Sequence, residues 1–160
     1  MEPIPEHPVL FGQPVPQEHA LLPWSWARDR LVRARDYWIA TTRPDGSPHT
    51  RPVWGVWLDD GFWFATGSLA AKNLLANPAI SVHPAATDDV VIVEGRASAD
   101  VSADALKAYN DKYAWTFEPD GDGVRDRDGT AGAAFLVRPR VVFGWEADLR
   151  APTRWPFDVA

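Results

Sequence analysis

The strongest constraint on this fold is a series of strand-like segments, separated by turn sequences, between residues 37 and 66. Segments Tyr37–Thr42 and Pro48–Leu58 flank Arg43-Pro44-Asp45-Gly46, which is typical of a hairpin turn. A second turn at Asp59-Asp60-Gly61 leads into the apolar segment Phe62–Thr66. Three consecutive strands joined by short turns predict an antiparallel meander.

Three short helices are predicted around this meander. Ser25 is expected to cap a helix that extends to about Arg35. The helix after Gly67-Ser68 runs through Ala76 and ends at Asn77-Pro78, and Ser102 caps a third. In that third helix one face carries Leu106, Tyr109 and Tyr113.

Three further strands complete the predicted sheet: Ala79–His83, Asp89–Ala99, and Ala133–Glu146, which bends at Pro139. Between them Glu118–Gly129 is predicted to be a polar loop, and the tail Ala147–Ala160 is predicted to be irregular. Six strands with short helices predict a mainly β protein. The expected architecture is a small closed antiparallel barrel with helices at its ends.

The first 23 residues form a separate region in this interpretation. They contain six prolines, a density that blocks regular hydrogen bonding and predicts an extended arm. The expected division is therefore an arm over residues 1–23 and a folded domain over residues 24–160.

Composition excludes several function classes. The chain has no cysteine, which rules out disulfides, thiolate metal sites and cysteine nucleophiles. Its net charge of −6 and the absence of any basic run argue against binding to nucleic acid. No apolar run is long enough to span a membrane, and the N-terminus lacks the features of a secretory signal, so a cytoplasmic protein is expected. The four histidines lie far apart in sequence, and no metal site is predicted.

The segment from Thr66 to Asn73 is the first candidate binding site. Here a strand ends, Gly67 turns the chain, and Ser68 precedes a helix whose free N–H groups can hold a phosphate. Lys72 lies one turn further along the same side and can add a full charge. The alternative is an ordinary capped helix with a surface lysine.

The segment His49–Trp57 is the second candidate. Gly55 within a bulky strand predicts a bulge, or the close approach of another group such as a planar ring. Pro52 cannot donate a ladder hydrogen bond, so the segment is expected at an edge or a bulge. Arg51 is either a phosphate ligand or a surface charge. The alternative is a barrel strand with ordinary aromatic packing.

The third candidate lies in the tail, where Arg154 and Trp155 are adjacent. Together they can hold an aromatic or anionic ligand by stacking and charge. They can equally dock the tail on the core.

The order of these segments resembles the pyridoxamine 5′-phosphate oxidase-like flavin-binding split barrels, and among them the actinobacterial flavin/deazaflavin oxidoreductases. The resemblance runs from about Trp24 to Phe157. It is carried by the segments Tyr37–His49, Arg51–Trp54, Phe62–Gly67, Lys72–Pro78, Val93–Ala97 and Val137–Val141.

The resemblance implies a homodimer of six-stranded split barrels, with two sites at the subunit interface for FMN or coenzyme F-420. Related proteins transfer hydride to activated double bonds, oxidise pyridoxamine phosphate, reduce biliverdin or bind haem. Carried onto matching positions, the implied cofactor-binding residues are Arg51, Pro52, Val53, Trp54, Thr66, Ser68, Lys72, Asn73, Arg154 and Trp155. No catalytic residue is assigned, because the cofactor performs the hydride step.

One segment departs from the family pattern. The usual Ser-Arg-Lys after the third strand reads Ser68-Leu69-Ala70, so two phosphate-binding cations are missing. Two functions therefore remain open at this point. The first is a flavin- or deazaflavin-dependent oxidoreductase that acts on a planar small molecule. The second is a non-catalytic protein that sequesters a flavin, deazaflavin or haem. If the F-420 tail binds, Arg28, Arg30, Arg33 and Arg35 are candidate partners by charge alone.

Overall fold

The computed structural model describes residues 1–158, which form twelve strands and three α-helices. In chain order the elements are β1 (Val9–Leu10), β2 (Gln13–Pro14), α1 (Trp24–Arg33), β3 (Tyr37–Thr42), β4 (Pro48–Val53), β5 (Gly55–Leu58), β6 (Gly61–Thr66), α2 (Leu69–Ala76), β7 (Ala79–Pro84), β8 (Val90–Ala99), α3 (Ala103–Tyr113), β9 (Glu118–Asp120), β10 (Gly123–Arg125), β11 (Ala131–Glu146) and β12 (Arg150–Pro156). Within residues 1–158, no helix is both long and apolar enough to cross a membrane.

One antiparallel sheet curls into a barrel that is split beside Trp54. Its strand path runs β4-β3-β7-β8-β11-β6-β5. The two end strands of this path, β4 and β5, are joined in sequence by Trp54 alone. The prediction of one continuous strand from Pro48 to Leu58 is therefore wrong, because the chain leaves β3 and joins β6 at this residue. The predicted mainly β, antiparallel split barrel is confirmed, with β4 and β5 together standing for one of its six strands.

Strand β11 is the longest element and holds the barrel together. One edge pairs with β8 from Phe135 to Trp145, and its other edge pairs first with β6 and then with β12. The register with β8 shifts between Pro139 and Val141. The predicted bend at Pro139 is confirmed, since proline cannot donate a ladder hydrogen bond.

Strand β6 is buried on both faces and separates two apolar clusters. Phe62 and Phe64 face the larger cluster, which lies inside the barrel and under α1 and α2. Trp63 and Ala65 face the smaller cluster, which lies under α3. Each fully buried aromatic ring contributes about 1.5–3 kcal/mol relative to an exposed one. Strand β6 is therefore fixed from both sides, and so are the segments that leave its ends.

The helices follow the predicted pattern, except that two of the three predicted serine caps do not form. Helix α1 begins at Trp24 after Pro23, and no side chain caps it, so the prediction of a Ser25 cap is wrong. Proline at this position has no N–H to satisfy and a φ that suits the approach to a helix. Ser102 occupies the predicted N-cap position of α3, but its side chain makes no capping hydrogen bond. The helix ends at Tyr113 and is followed by Ala114, which has a positive φ of 51°. Its predicted apolar face, Leu106, Tyr109 and Tyr113, is buried.

Two segments expected to be irregular contain strands. The loop Glu118–Gly129 includes the β9–β10 hairpin, and the tail includes β12, which pairs with β11. Both were missed because their strands are short or contain proline, although their partner strands lie close in sequence. Val159 and Ala160, the end of the predicted tail, lie outside the described residues.

The N-terminal arm is partly ordered by the barrel. Its strands β1 and β2 form a small hairpin. Glu6 exchanges two backbone hydrogen bonds with Arg154 of β12, at 2.8 and 2.9 Å. The arm therefore contains a short hairpin, which its proline density argued against, and its backbone is attached to β12.

Candidate functional site

A cleft of about 460 Å³ opens where the barrel is split, and it is called the split cleft below. Its lining residues are Asp36, Pro52, Val53, Trp54, Ala65, Thr66, Gly67 and Tyr109. The cleft brings together four of the predicted cofactor residues, Pro52, Val53, Trp54 and Thr66, although Thr66 is separated from the others by more than ten positions in sequence. These four come from both sides of the split.

Pro52 and Val53 lie at the end of an edge strand. Strand β4 pairs with β3 on one side only, so the prediction of an edge position is confirmed. Pro52 is exposed and Val53 half-buried, which leaves both available to a ligand. Arg51 is exposed beside them but is absent from the residues that line the cleft.

Trp54 is held by neighbours on several sides. Its ring stacks on Tyr113 with centroids 4.6 Å apart and planes 2° from parallel. Its Nε1 donates a hydrogen bond to Asp36 at 3.2 Å. The ring of Trp115 meets it edge-on at 5.8 Å, and the Arg35 guanidinium lies 5.2 Å from its centroid. The position of Trp54 in the cleft is therefore set largely by α3 and by the segment before β3.

The N–H and the carbonyl of Gly55, which belong to the peptide groups before and after this residue, are fixed by two side chains of α3. The Gly55 N–H donates to the Tyr113 hydroxyl at 3.0 Å, and the Gly55 carbonyl accepts from Lys112 Nζ at 2.9 Å. The Tyr113 hydroxyl also lies 2.6 Å from the Arg35 carbonyl, to which it can donate. Lys112 donates in addition to the Tyr37 hydroxyl at 3.0 Å.

Burial changes the acid–base properties of this network. It lowers the pKa of Lys112 to about 8, against the opposing attraction of Asp36. Burial also raises the pKa of Tyr37 and Tyr113. The phenols are therefore protonated, and can act as donors, throughout the physiological pH range.

Gly55 is closely approached by a planar ring, as the sequence predicts, but that ring belongs to the protein. An added Cβ at this position would collide with Cζ and Cε2 of Phe62. The glycine therefore serves the packing of β5 on β6. No ligand is needed to explain Gly55, because the ring of Phe62 occupies the space beside it.

The strand end at Thr66 is tied to the start of α2. Thr66 Oγ1 lies 2.9 Å from Ser68 Oγ and accepts from the Ser68 N–H at 3.2 Å. Ser68 Oγ in turn accepts from the Ala70 N–H at 3.2 Å, so the predicted N-cap is confirmed. A phosphate at this helix end would share it with the serine cap.

Helix α2 presents its residues unevenly to solvent. Lys72 is exposed and free to meet an anion near the helix start. Asn73 is buried, and its Nδ2 donates to Thr41 Oγ1 at 3.0 Å, so its side chain points into the protein. Leu69 is 41% exposed and Ala70 is fully buried. Leu69 and Ala70 stand where the family usually has cations. Of these two residues, only Leu69 is therefore at the surface.

The tail residues lie elsewhere. Arg154 lines a second cleft of about 730 Å³, here called the strand-face cleft, together with Arg140 and Phe157. Its guanidinium also lies 3.5 Å from Glu6. Trp155 is fully buried and packs edge-on against Trp24 at 5.8 Å. Within one chain the predicted pair is thus not part of the split cleft, and Trp155 has no exposed surface to offer a ligand.

The arginines of the first helix region divide into two groups. Arg28, Arg30 and Arg33 pair with Glu2, Asp89 and Asp29 respectively. Among the ion pairs of residues 1–158, none involves Arg35, which lies beside Trp54 at the cleft. Of these candidates for an anionic tail, Arg35 is the one that contacts Trp54, although it is absent from the residues that line the split cleft.

Sequence reasoning missed several residues of the site. Asp36, Tyr109, Lys112 and Tyr113 have no motif of their own, and only their apolar or loop context was noted. A usable signal for α3 was present, since two tyrosines and a lysine near the end of an amphipathic helix indicate polar groups over a buried face. Among residues 1–158, no three acidic or histidine side chains are grouped to hold a metal ion.

The sequence and the fold of this chain are similar to those of known proteins. Residues 27–144 match the family described as pyridoxamine 5′-phosphate oxidase. None of the curated protein sequences matches the chain. General stress protein 26 from Bacillus anthracis strain Sterne has a similar fold, with a TM-score of 0.63 and 16% identity, over 83% of this chain and 97% of that one.

Two other solved structures are similar over most of the chain. A haem-binding protein from Mycobacterium smegmatis has a TM-score of 0.61 and 17% identity, over 82% of this chain and 57% of that one. An F-420 reductase has a TM-score of 0.54 and 25% identity, over 80% of this chain and 98% of that one.

Proposed function

Because this chain belongs to the pyridoxamine 5′-phosphate oxidase family of flavin-binding split barrels, we propose that it is an oxidoreductase that uses FMN or the deazaflavin coenzyme F-420. When bound, such a cofactor would supply hydride transfer to or from a planar small-molecule substrate. The observation that carries this proposal is the split cleft, where the fold gathers Pro52, Val53, Trp54 and Thr66 beside the start of α2.

The residues present fit such a cofactor. The cleft volume of about 460 Å³ lies within the range of small-molecule sites, roughly 300–1,000 Å³. Trp54, Tyr109 and Val53 offer flat and apolar walls for a ring system, as in most ligand pockets. The helix end at Ser68, together with Lys72, offers an N-terminal dipole and a cation for an anionic group.

The protein's part is to bind and orient. When bound, a flavin or deazaflavin would supply the hydride chemistry itself. The ring of Trp54 and the edge of β4 form one wall of the cleft, and the end of β6 with Tyr109 forms the other. Asp36 is the one carboxylate in the lining, and it already accepts a hydrogen bond from Trp54. We assign it to positioning Trp54 and assign no residue to proton transfer.

Two observations favour F-420 over FMN as the cofactor. The F-420 reductase is 25% identical over 80% of this chain. Arg35 lies 5.2 Å from the ring centroid of Trp54 and has no acidic partner among the described ion pairs, whereas the other arginines of this region are paired. A guanidinium in that place suits the carboxylates of an oligoglutamyl tail.

The proposal includes a homodimer with the sites at the interface. The outer face of β3 carries Trp38, which is 40% exposed, and the strand-face cleft opens on the same face. A second copy on this face would cover Trp38 and bring Arg154 and Arg140 against a partner. Sedimentation at micromolar concentration tests this part, with a dimer expected and a monomer contradicting it.

The central experiment is a titration of the purified chain with FMN and, separately, with reduced F-420. Absorption spectra and tryptophan fluorescence report binding, and oxidation of reduced F-420 by a test enone or quinone reports turnover. Binding with turnover is the expected result. Absence of any spectral or fluorescence change with either cofactor would overturn the proposal.

Sequestration of a flat ligand is the second candidate function. It is favoured by Leu69, a half-exposed apolar residue at a position where the family presents a phosphate-binding cation. Each missing charged hydrogen bond costs about 1.5–3 kcal/mol of binding. Tight binding of FMN, F-420 or haem without turnover in the same experiment would favour this function.

A further inference from the structure

The split of the barrel is held open by contacts from an element outside the barrel. At Trp54 the chain leaves the β3 edge and crosses to β6, so its backbone has no continuous ladder there. The groups that satisfy this peptide come from α3, nearly 60 residues later in the chain: the Tyr113 hydroxyl and Lys112 Nζ. Buried backbone groups need such partners, so these contacts fix where the crossing peptide sits.

The hydrogen bonds form one consistent donor–acceptor chain. Lys112 donates to the Gly55 carbonyl and to the Tyr37 hydroxyl, and Tyr37 donates to the Leu31 carbonyl at 2.5 Å. Tyr113 accepts from the Gly55 N–H and has two carbonyl acceptors within reach, Arg35 at 2.6 Å and Gly55 at 2.8 Å, and it can donate its proton to one of them. Each hydroxyl therefore uses its single proton once. These hydrogen bonds link the α1 region and the start of β3 to the backbone of Gly55.

The same two residues reach the cleft through Trp54. The Tyr113 ring lies parallel to the Trp54 ring at 4.6 Å, while its hydroxyl holds the next peptide. Asp36, which follows the Arg35 carbonyl bound by Tyr113, accepts the Trp54 Nε1–H. Tyr113 therefore contacts both the indole and the Gly55 N–H, and Lys112 holds the Gly55 carbonyl.

We infer that Tyr113 and Lys112 are positioning residues of the split cleft, which act by fixing the Gly55 peptide and thereby the orientation of Trp54 toward a planar ligand. This inference rests on the proposed function for the identity of the ligand. The placement of Trp54 is a property of the protein alone. Neither residue lines the cleft, and both act through Gly55 and Trp54.

The first test removes one hydroxyl and keeps the stacked ring. In Tyr113→Phe the Gly55 N–H loses its acceptor, so its exchange with solvent deuterium, followed by NMR, is expected to accelerate at least tenfold. Amides in the centre of β6 should keep their protection. The Trp54 Nε1–H signal, assigned with Trp54→Phe, should shift. An unchanged Gly55 exchange rate and an unchanged Trp54 signal would overturn the inference.

The second test removes the Lys112 ammonium group and leaves the Tyr113 hydroxyl in place. Lys112→Met keeps the apolar stem and removes both donors, and it should also accelerate Gly55 exchange. Lys107→Met is the matched control on the same helix, because Lys107 is exposed and pairs only with Asp111 at 2.6 Å. This control should leave Gly55 and Trp54 unchanged, and equal effects of the two lysine variants would overturn the inference.

The third test measures ligand binding. Tyr113→Phe and Lys112→Met should weaken FMN or F-420 binding about three- to tenfold and leave the binding stoichiometry unchanged. In turnover with reduced F-420, the KM for F-420 should change more than kcat. Wild-type affinity in variants with accelerated Gly55 exchange would overturn the positioning role. If the wild-type chain binds neither cofactor, the proposed function fails. The inference is then judged on the Gly55 and Trp54 signals alone.

Discussion

The ring of Phe62 occupies the space that a side chain on Gly55 would need. The two residues lie on the neighbouring strands β5 and β6, where Trp57 is paired directly with Phe62 and Gly55 with Phe64. Phe62 is fully buried in the larger apolar cluster and cannot move aside into solvent. The glycine is therefore required by close packing immediately after the split of the barrel.

This packing predicts a clear loss of stability in Gly55→Ala. Overpacking of a tight core costs about 1–3 kcal/mol, since the intruding methyl forces its neighbours to shift. Urea unfolding followed by circular dichroism measures the loss. Gly67→Ala is the control, because an added Cβ there would meet nothing closer than the Ala131 carbonyl at 3.4 Å. Equal losses in the two variants would contradict the prediction.

Leu69→Arg should strengthen the binding of a phosphate-bearing ligand about tenfold. Residue 69 begins α2 and is 41% exposed, so an arginine there can reach an anion at the helix end. A charged hydrogen bond contributes about 1.5–3 kcal/mol, and partial exposure favours the lower end of that range. Isothermal titration with FMN gives the change in Kd.

Leu75→Arg is the matched control for that gain. It adds the same charge to the same helix, but near its C-terminal end and at a position that is 78% exposed. Its effect on the Kd for FMN should be less than twofold. A similar gain in both variants would show that net charge, rather than the helix start, attracts the ligand.

Lys72→Ala should weaken cofactor binding at least tenfold and leave the fold intact. Lys72 is the cation within α2 that can meet the anionic group. Its side chain is exposed, so truncation to alanine uncovers no apolar surface. Lys107→Ala, at a similarly exposed lysine of α3, serves as the control. An unchanged Kd in Lys72→Ala would show that the anionic group lies elsewhere.

Most of the fold could be predicted because its signals are local. Turn sequences, alternation and the Ser68 cap determine the hairpins β3–β4 and β5–β6 and the start of α2 from neighbouring residues alone. The break at Trp54 could not be predicted, since it depends on α3 hydrogen bonds to Gly55 from residues 112 and 113. Strand β12 was missed for a different reason. It forms a hairpin with the preceding β11, but its prolines argued for irregular structure.

The site was predicted less completely than the fold, because residue type does not reveal burial. Trp54 and Trp155 look alike in sequence, yet one lines the cleft and the other is fully buried beside Trp24. Asn73 looked like a ligand-facing residue, but its amide is turned inward toward Thr41. The geometry that distinguishes these cases is set by tertiary packing.

The titration of Lys112 predicts an unusual dependence of stability on pH. Burial lowers its pKa to about 8 in the folded chain from an ordinary value of 10.5, so from pH 8 to 10 the unfolded chain binds more protons and the free energy of unfolding should rise with pH. Above pH 10 the sign reverses, because burial raises the pKa of Tyr37 and Tyr109 and only the unfolded chain ionises them there. Urea unfolding at half-unit intervals from pH 7 to about 11 measures the curve. Lys112→Met should lack the rise and keep the fall, whereas a rise of equal size in that variant would assign the effect to another group.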